Sequence, residues 1–215
     1  MRTFLLALPL LGACAGSAVP SALSDLEGTA EDAYDKALVA DYTAVSDDAS
    51  ALDAGWQDFR DQAAADGATD ADLTAMDDAI AGLGDAVANQ SSLTDYELAR
   101  AANAVSGPMD ELFALYDDAI PADILALDYG GREVSIDAME EGMGDALDDI
   151  GELEAVWSGV KQQVLDAGGD AEAADYEASL ASQTELANGG DASGLLVESN
   201  NGLEIVDALE GVFTK

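Results

Sequence analysis

Residues 38–63 read LVADYTAVSDDASALDAGWQDFRDQA. The apolar side chains in this stretch, Leu38, Tyr42, Val45, Ala49, Leu52, Trp56, Phe59 and Ala63, fall at alternating spacings of four and three. That is the period of one face of an α-helix. A second copy of the stripe lies 101 residues on, at Met139, Met143, Ala146, Ile150, Leu153, Trp157, Val160 and Val164. The same offset pairs Val19-Pro20 with Ile120-Pro121, Leu26 with Leu127, Asp47-Asp48 with Asp148-Asp149, and Gly67 with Gly168.

Beyond this stripe the offset shrinks. Leu73, Met76, Ile80 and Val87 match Ala173, Tyr176, Leu180 and Ala187 at 100. Leu98, Ala102, Val105, Met109, Leu112 and Tyr116 match Leu195, Ser199, Gly202, Val206, Leu209 and Phe213 at 97, which also aligns Asn103 with Asn200 and Asp110 with Asp207. One amphipathic stripe slides into register with any other. Three in the same order, with Trp, Pro and Asn paired, point to an internal tandem duplication.

Each unit, 19–118 and 120–215, reads as three helices. The first has them at about 30–66, 70–88 and 93–118, the second at about 121–167, 170–188 and 191–213. Asp66-Gly67 and Gly168-Gly169 supply left-handed ends. Thr69, Thr94, Asp170 and Asp191 mark helix starts. Gly107-Pro108 should kink or divide the third helix, because proline lacks the N–H that the helix needs. Gly130-Gly131 should do the same near the start of the fourth. No run alternates as a strand does. A helix of ~35 residues is ~50 Å long, too long for one shorter helix to cover. The expected fold is therefore all-α: an elongated bundle of about six helices, built from two tandem three-helix repeats.

The chain opens with a basic Met1-Arg2-Thr3, an apolar run from Phe4 to Leu11, and Leu11-Gly12-Ala13-Cys14. Cys14 is the only cysteine. The run is far shorter than the ~20 residues of a spanning helix, so it reads as a targeting segment. The pattern resembles a bacterial lipoprotein signal peptide with its lipobox. That resemblance covers about the first 17 residues. It implies cleavage after residue 13, a lipid on Cys14, and a short spacer over 14–18. It also implies a place in the bacterial cell envelope. Ala15 after the cysteine resembles lipoproteins sorted to the outer membrane, facing the periplasm.

Forty-five acids against seven bases give a net charge of −38. The acids are spread along the chain between apolar positions and read as solvated helix faces, as in proteins adapted to salt. A polyanionic surface excludes nucleic acid as a partner. It also leaves the N-terminal lipid as the membrane contact.

The chain has no histidine. That removes the commonest general base and transition-metal ligand. Asp70-Ala71-Asp72 begins like a calcium loop, but the sixth and twelfth positions are Ala75 and Ala81 rather than Gly and Glu. Adjacent acids such as Asp77-Asp78 point ~100° apart on a helix and do not converge. No catalytic residue, metal ligand or cofactor is assigned. Trp56 and Trp157 are expected to fill the core, and Arg60 and Lys161 to reach acids on a neighbouring helix. Asn103, Asp110, Asn200 and Asp207 are the polar residues that would line a cavity or bond across the unit interface. The sequence thus points to a non-catalytic, lipid-anchored adaptor or scaffold that contacts another envelope protein. The alternative is a periplasmic binding protein for a small ligand or divalent cations at the seam between the repeats. An exposed apolar patch would favour the first, and a cavity with converging Asn and Asp the second.

Overall fold

The computed structural model describes residues 17–214. Cys14 and the signal segment before it lie outside the described residues. The described chain is all-helical. Its first four-helix layer comprises α1 (Ser21–Leu38), α2 (Tyr42–Asp66), α3 (Asp70–Ala88) and the pair α4 (Asp95–Asn103) and α5 (Met109–Phe113). It continues with α6 (Asp123–Met139), α7 (Met143–Asp166), α8 (Asp170–Gly189) and α9 (Ala192–Phe213). No helix among the described residues is long and apolar enough to cross a membrane.

Nine α-helices among the described residues stand in place of the six expected: Gly107-Pro108 divides one, and two more are split at turns that carry no glycine at the reversing position. The expected helix over 30–66 ends at Leu38. There Ala40 takes φ 58°, the Ala40 N–H donates to Ala37 O, and the Asp41 N–H donates to Lys36 O. The expected helix over 121–167 ends the same way after Met139. Glu141 takes φ 59°, its N–H donates to Ala138 O, and the Gly142 N–H donates to Asp137 O. Both are Schellman closures, which usually place glycine at the left-handed residue. Ala40 and Glu141 stand 101 residues apart.

Gly130-Gly131 does not break its helix. A Cβ at Gly130 would lie 2.8 Å from the Leu153 side chain, and one at Gly131 would lie 2.7 Å from Leu203. These glycines let α6 approach α7 and α9 closely. Gly107-Pro108 does divide the third helix, leaving α4 and α5. Thr69 and Thr94 each close a capping box, with Asp72 and Glu97, and Asp191 accepts from the Gly194 N–H.

Each half of the chain closes into its own four-helix bundle. In the first, α1 packs on α2 and α4, and α3 packs on α2 and α4. In the second, α6 packs on α7 and α9, and α8 on α7 and α9. There are correspondingly two apolar cores. The single elongated assembly expected from the long stripes is therefore not what forms. Once each stripe folds back at its Schellman turn, four shorter helices cover one another.

Burial repeats with the offsets read from the sequence. The residues buried in α1 are Leu23, Leu26, Ala30, Ala33, Tyr34 and Ala37, and each position 101 further on is buried in α6. Trp56 and Trp157 are both buried, as expected. The Trp56 Nε1–H donates to Asp77 at 2.7 Å, and Arg60 grips the same carboxylate from Nε and Nη2. The Trp157 Nε1–H reaches Glu177 at 3.4 Å, and Lys161 pairs with it.

The two bundles lie side by side. The Asp117 N–H donates to Ser17 O, which sets the end of the first bundle beside the start of α1. From there α6 rises parallel to α1, and Arg132 pairs with Glu31 about halfway along both. The central part of α6, residues 131–138, is buried at eight consecutive positions. One face enters the second core through Val134 and Ala138, and Ile136 enters the first. Gly131 and Ser135 face α9, against Leu203 and Ser199, and Arg132, Glu133 and Asp137 face the seam.

Candidate binding site at the seam between the bundles

Glu133 and Asp137 lie four apart on α6, one turn along the same face. Across the seam, α4 presents Arg100 and Asn103. Arg100 donates to Glu133, to Asp137 Oδ1 at 2.6 Å and to Glu140 at 3.0 Å. Asn103 is fully buried. Its Nδ2 donates to Tyr129 O at 3.1 Å and to Glu133 Oε1 at 2.7 Å, while its Oδ1 has no partner. On the other side, α1 presents Glu31 and Tyr34. Arg132 pairs with Glu31 and Asp128, and its guanidinium sits 5.6 Å from the centre of the Tyr34 ring, within cation–π range.

Two arginines do not neutralise the acids gathered here. Burial pushes the Glu27 carboxyl up to about 7, with the Glu31 charge adding to it. Burial does the same to Asp128, against the pull of Arg132. Asp149, on α7, is also raised to about 7 by burial and by Asp137. A carboxyl out of water resists ionising, and a neighbouring carboxylate deepens that resistance.

The sharpest local imbalance is at Asp137. Its residue is 2% exposed, Oδ1 holds Arg100, and Oδ2 is buried without a donor. The Asp149 carboxyl lies within hydrogen-bonding reach of it. With its carboxyl raised to about 7, Asp149 can carry the proton that serves both groups. Asp149 and Glu133 also line a cleft of about 210 Å³, with Asp110 and Glu152 among its acids and Ala126, Tyr129, Leu153 and Val156 among its other walls.

The structure brings Asn103 and Asp110 to this seam. It does not bring Asn200 and Asp207. Both are exposed on α9, and the Asn200 side chain donates back to Leu196 O in its own helix. The reason is topological. The face of α4 that carries Asn103 meets α6, whereas the matching face of α9 has no further bundle to meet. Sequence reasoning missed Glu133, Asp137 and Asp149 as a group, because they come from two helices that it had joined into one. The rarity of bases was the available signal: in a chain this acidic, Arg100 and Arg132 mark where acids are brought together.

A larger depression, about 510 Å³, lies between α2 and α3 over Trp56. Its charged groups, Arg60 and Asp77, already satisfy each other, so it offers a ligand less than the seam does. All five bases within the described residues, Lys36, Arg60, Arg100, Arg132 and Lys161, have carboxylate partners. Among the described residues no three His, Cys, Asp or Glu side chains converge as metal ligands. No family model, curated protein or solved structure matches the chain.

Proposed function

We propose that this chain is an exported, lipid-anchored adaptor of the bacterial envelope, built by tandem duplication and without catalytic activity. It is held at the membrane by a lipid on Cys14 and contacts another envelope protein through the far pole of its first bundle. The duplication is supported by the recurring burial pattern, the two Schellman turns, and the matching Trp–carboxylate–base trios. Each unit then contains four helical layers rather than three.

One observation carries the adaptor reading. Four large apolar side chains are notably exposed among the described residues: Val39 at 74%, Val197 at 71%, Tyr42 at 40% and Tyr96 at 36%. Three of them gather at one pole. Val39 and Tyr42 flank the α1–α2 turn, and the Tyr42 hydroxyl donates to Asp95, the neighbour of Tyr96. This pole is a full helix length from Ser21, ~27 Å for eighteen residues. The lipid would lie at one end and the apolar patch at the other, pointing away from the membrane. Apolar groups clustered on an otherwise acidic surface mark contact sites.

The test is crosslinking and recovery of the lipidated protein from membranes. A partner should be recovered with the native chain and with Val197→Glu, and lost with the Val39→Glu/Tyr96→Glu pair. Equal recovery with all three would place the contact elsewhere and sink this reading.

A further inference from the structure

We propose that the groove between α2 and α3, over Trp56, docks a cationic amphipathic helix of a partner protein. It is a second contact surface, on the side of the first bundle. None of Val39, Tyr42 and Tyr96 lines it, and it does not depend on the contact proposed at that pole.

The groove has a volume of about 510 Å³. Trp56, Ile80 and Val87 form its apolar floor, while Ser46, Ala49 and Gly84 leave it open. Arg60 and Asp77 close on each other, so a polar ligand finds little to hold. What the groove leaves uncovered is hydrocarbon.

The second bundle shows such a groove filled by its own chain. The positions matching Asp53, Trp56, Asp77, Ile80 and Ala81 are Glu154, Trp157, Glu177, Leu180 and Ala181, which line a depression of about 240 Å³. The rest of the groove is occupied there. Ser46 is matched by Leu147, Ala49 by Ile150 and Gly84 by Thr184. Ile150 is buried, and Leu147 packs against the second core. Val87 against Ala187 runs the other way on the floor, and Gln57 against Ser158 on the rim. A partner that brings aliphatic side chains to Ser46, Ala49 and Gly84 completes the first groove as Leu147 and Ile150 complete the second.

Shape and charge select the occupant. From Ser46 to Arg60 the groove follows α2 for ~21 Å, the length of a helix of about fourteen residues. A helix laid along two others inserts side chains three and four apart between them. α2 carries six aspartates and α3 five, and the one base on either helix, Arg60, is held by Asp77. Lysine or arginine flanking the apolar face of the partner helix matches that surface. A second copy of this chain, itself at −38, would be repelled.

The experiment uses the mature chain and a synthetic helical peptide of about fourteen residues, leucine on one face and lysine on the other, at 0.15 M sodium chloride. A peptide of the same composition, with its leucines scattered around the helix, is the control. Calorimetry reads the affinity. The indole N–H resonance of Trp56 reads the place, with that of Trp157 as internal reference. The variants are the pair Ser46→Leu/Ala49→Ile and, separately, Gly84→Thr, each installing residues of the second bundle. A Cβ at Gly84 meets nothing within 4 Å, so this variant should remain folded. Saturable one-to-one binding is expected for the native chain, with the Trp56 resonance shifted and that of Trp157 unmoved. It should weaken about tenfold in each variant, as for the loss of a buried aliphatic contact. Equal binding of the scattered peptide, or equal affinity in all variants, would show only charge attraction to an acidic surface and overturn the proposal. Self-association of the native chain that the variants abolish would overturn the partner assignment in favour of a second copy.

Discussion

Lowering the pH from 8 to 5 is expected to stabilise the fold, the reverse of the usual loss on acidification. Glu27, Asp128 and Asp149 are each pushed up to about 7 by burial beside other carboxyls, whereas in the unfolded chain such groups titrate near 4. Between those values the native state binds more protons, so stability falls as pH rises through the window. Each pKa unit corresponds to ~1.4 kcal/mol. Asp128 is the most enclosed of the three and shares its surroundings with Glu31 and Arg132. Glu27 and Asp149 are partly open to water, where screening cuts the effect by about half or more. The three together come to ~3–5 kcal/mol, or a melting temperature about 10 °C higher at pH 5 than at pH 8. The groups held below the usual carboxylate range act in the opposite sense. Asp77 is held by Arg60, Glu177 by Lys161, Glu97 by the Thr94 N–H and Asp191 by the Gly194 N–H, and these contributions fade only as pH drops below ~4. Maximum stability should therefore lie near pH 5. The assay is thermal unfolding by circular dichroism from pH 4 to 8 at 0.15 M sodium chloride. The triple variant Glu27→Gln/Asp128→Asn/Asp149→Asn should flatten the curve between 5 and 8. A native melting temperature that is level or rises with pH across that range would refute the reasoning. A fall that survives in the triple variant would assign the effect to the overall charge instead.

Three further outcomes are expected. Ala40→Gly and Glu141→Gly should each raise stability by about 0.5–1 kcal/mol in urea denaturation, since glycine adopts the left-handed turn without the Cβ penalty; a loss at either site would mean its side chain matters more than its backbone. Trp56→Ala and Trp157→Ala should each cost ~3–5 kcal/mol, and a loss below ~1 kcal/mol would show that the ring is not part of a core. Cys14→Ala should abolish partitioning of the expressed protein into detergent, and unchanged partitioning would end the lipoprotein reading.

The helical class, the stripe positions and most caps were legible because they depend on local spacing and on residues with strong local preferences. Trp56, Trp157 and the Thr69 and Thr94 starts fall where the periodicity put them. The two reversals at Ala40 and Glu141 were not legible. Neither residue favours a left-handed backbone, and the apolar spacing runs through each turn without interruption. Conversely, Gly130-Gly131 looked like a break because glycine weakens an isolated helix, whereas here the space it leaves is filled by Leu153 and Leu203. The seam was half legible. Asn103 and Asp110 stood out by repetition, but repetition implied equal roles for Asn200 and Asp207, and only contact with the neighbouring bundle makes the first pair different.

The pairing of Arg132 with Glu31 has a consequence for how such a molecule can evolve. The two residues occupy equivalent positions under the proposed duplication, and they touch each other. In a dimer of identical chains, a position that meets its own copy must carry the same residue on both sides. A glutamate there would face a glutamate, and an arginine an arginine. Two halves joined in one polypeptide are free to differ at such positions, and here the two residues carry opposite charge. Under that reading the contact gains an attraction that a two-fold pairing of either half alone would turn into repulsion.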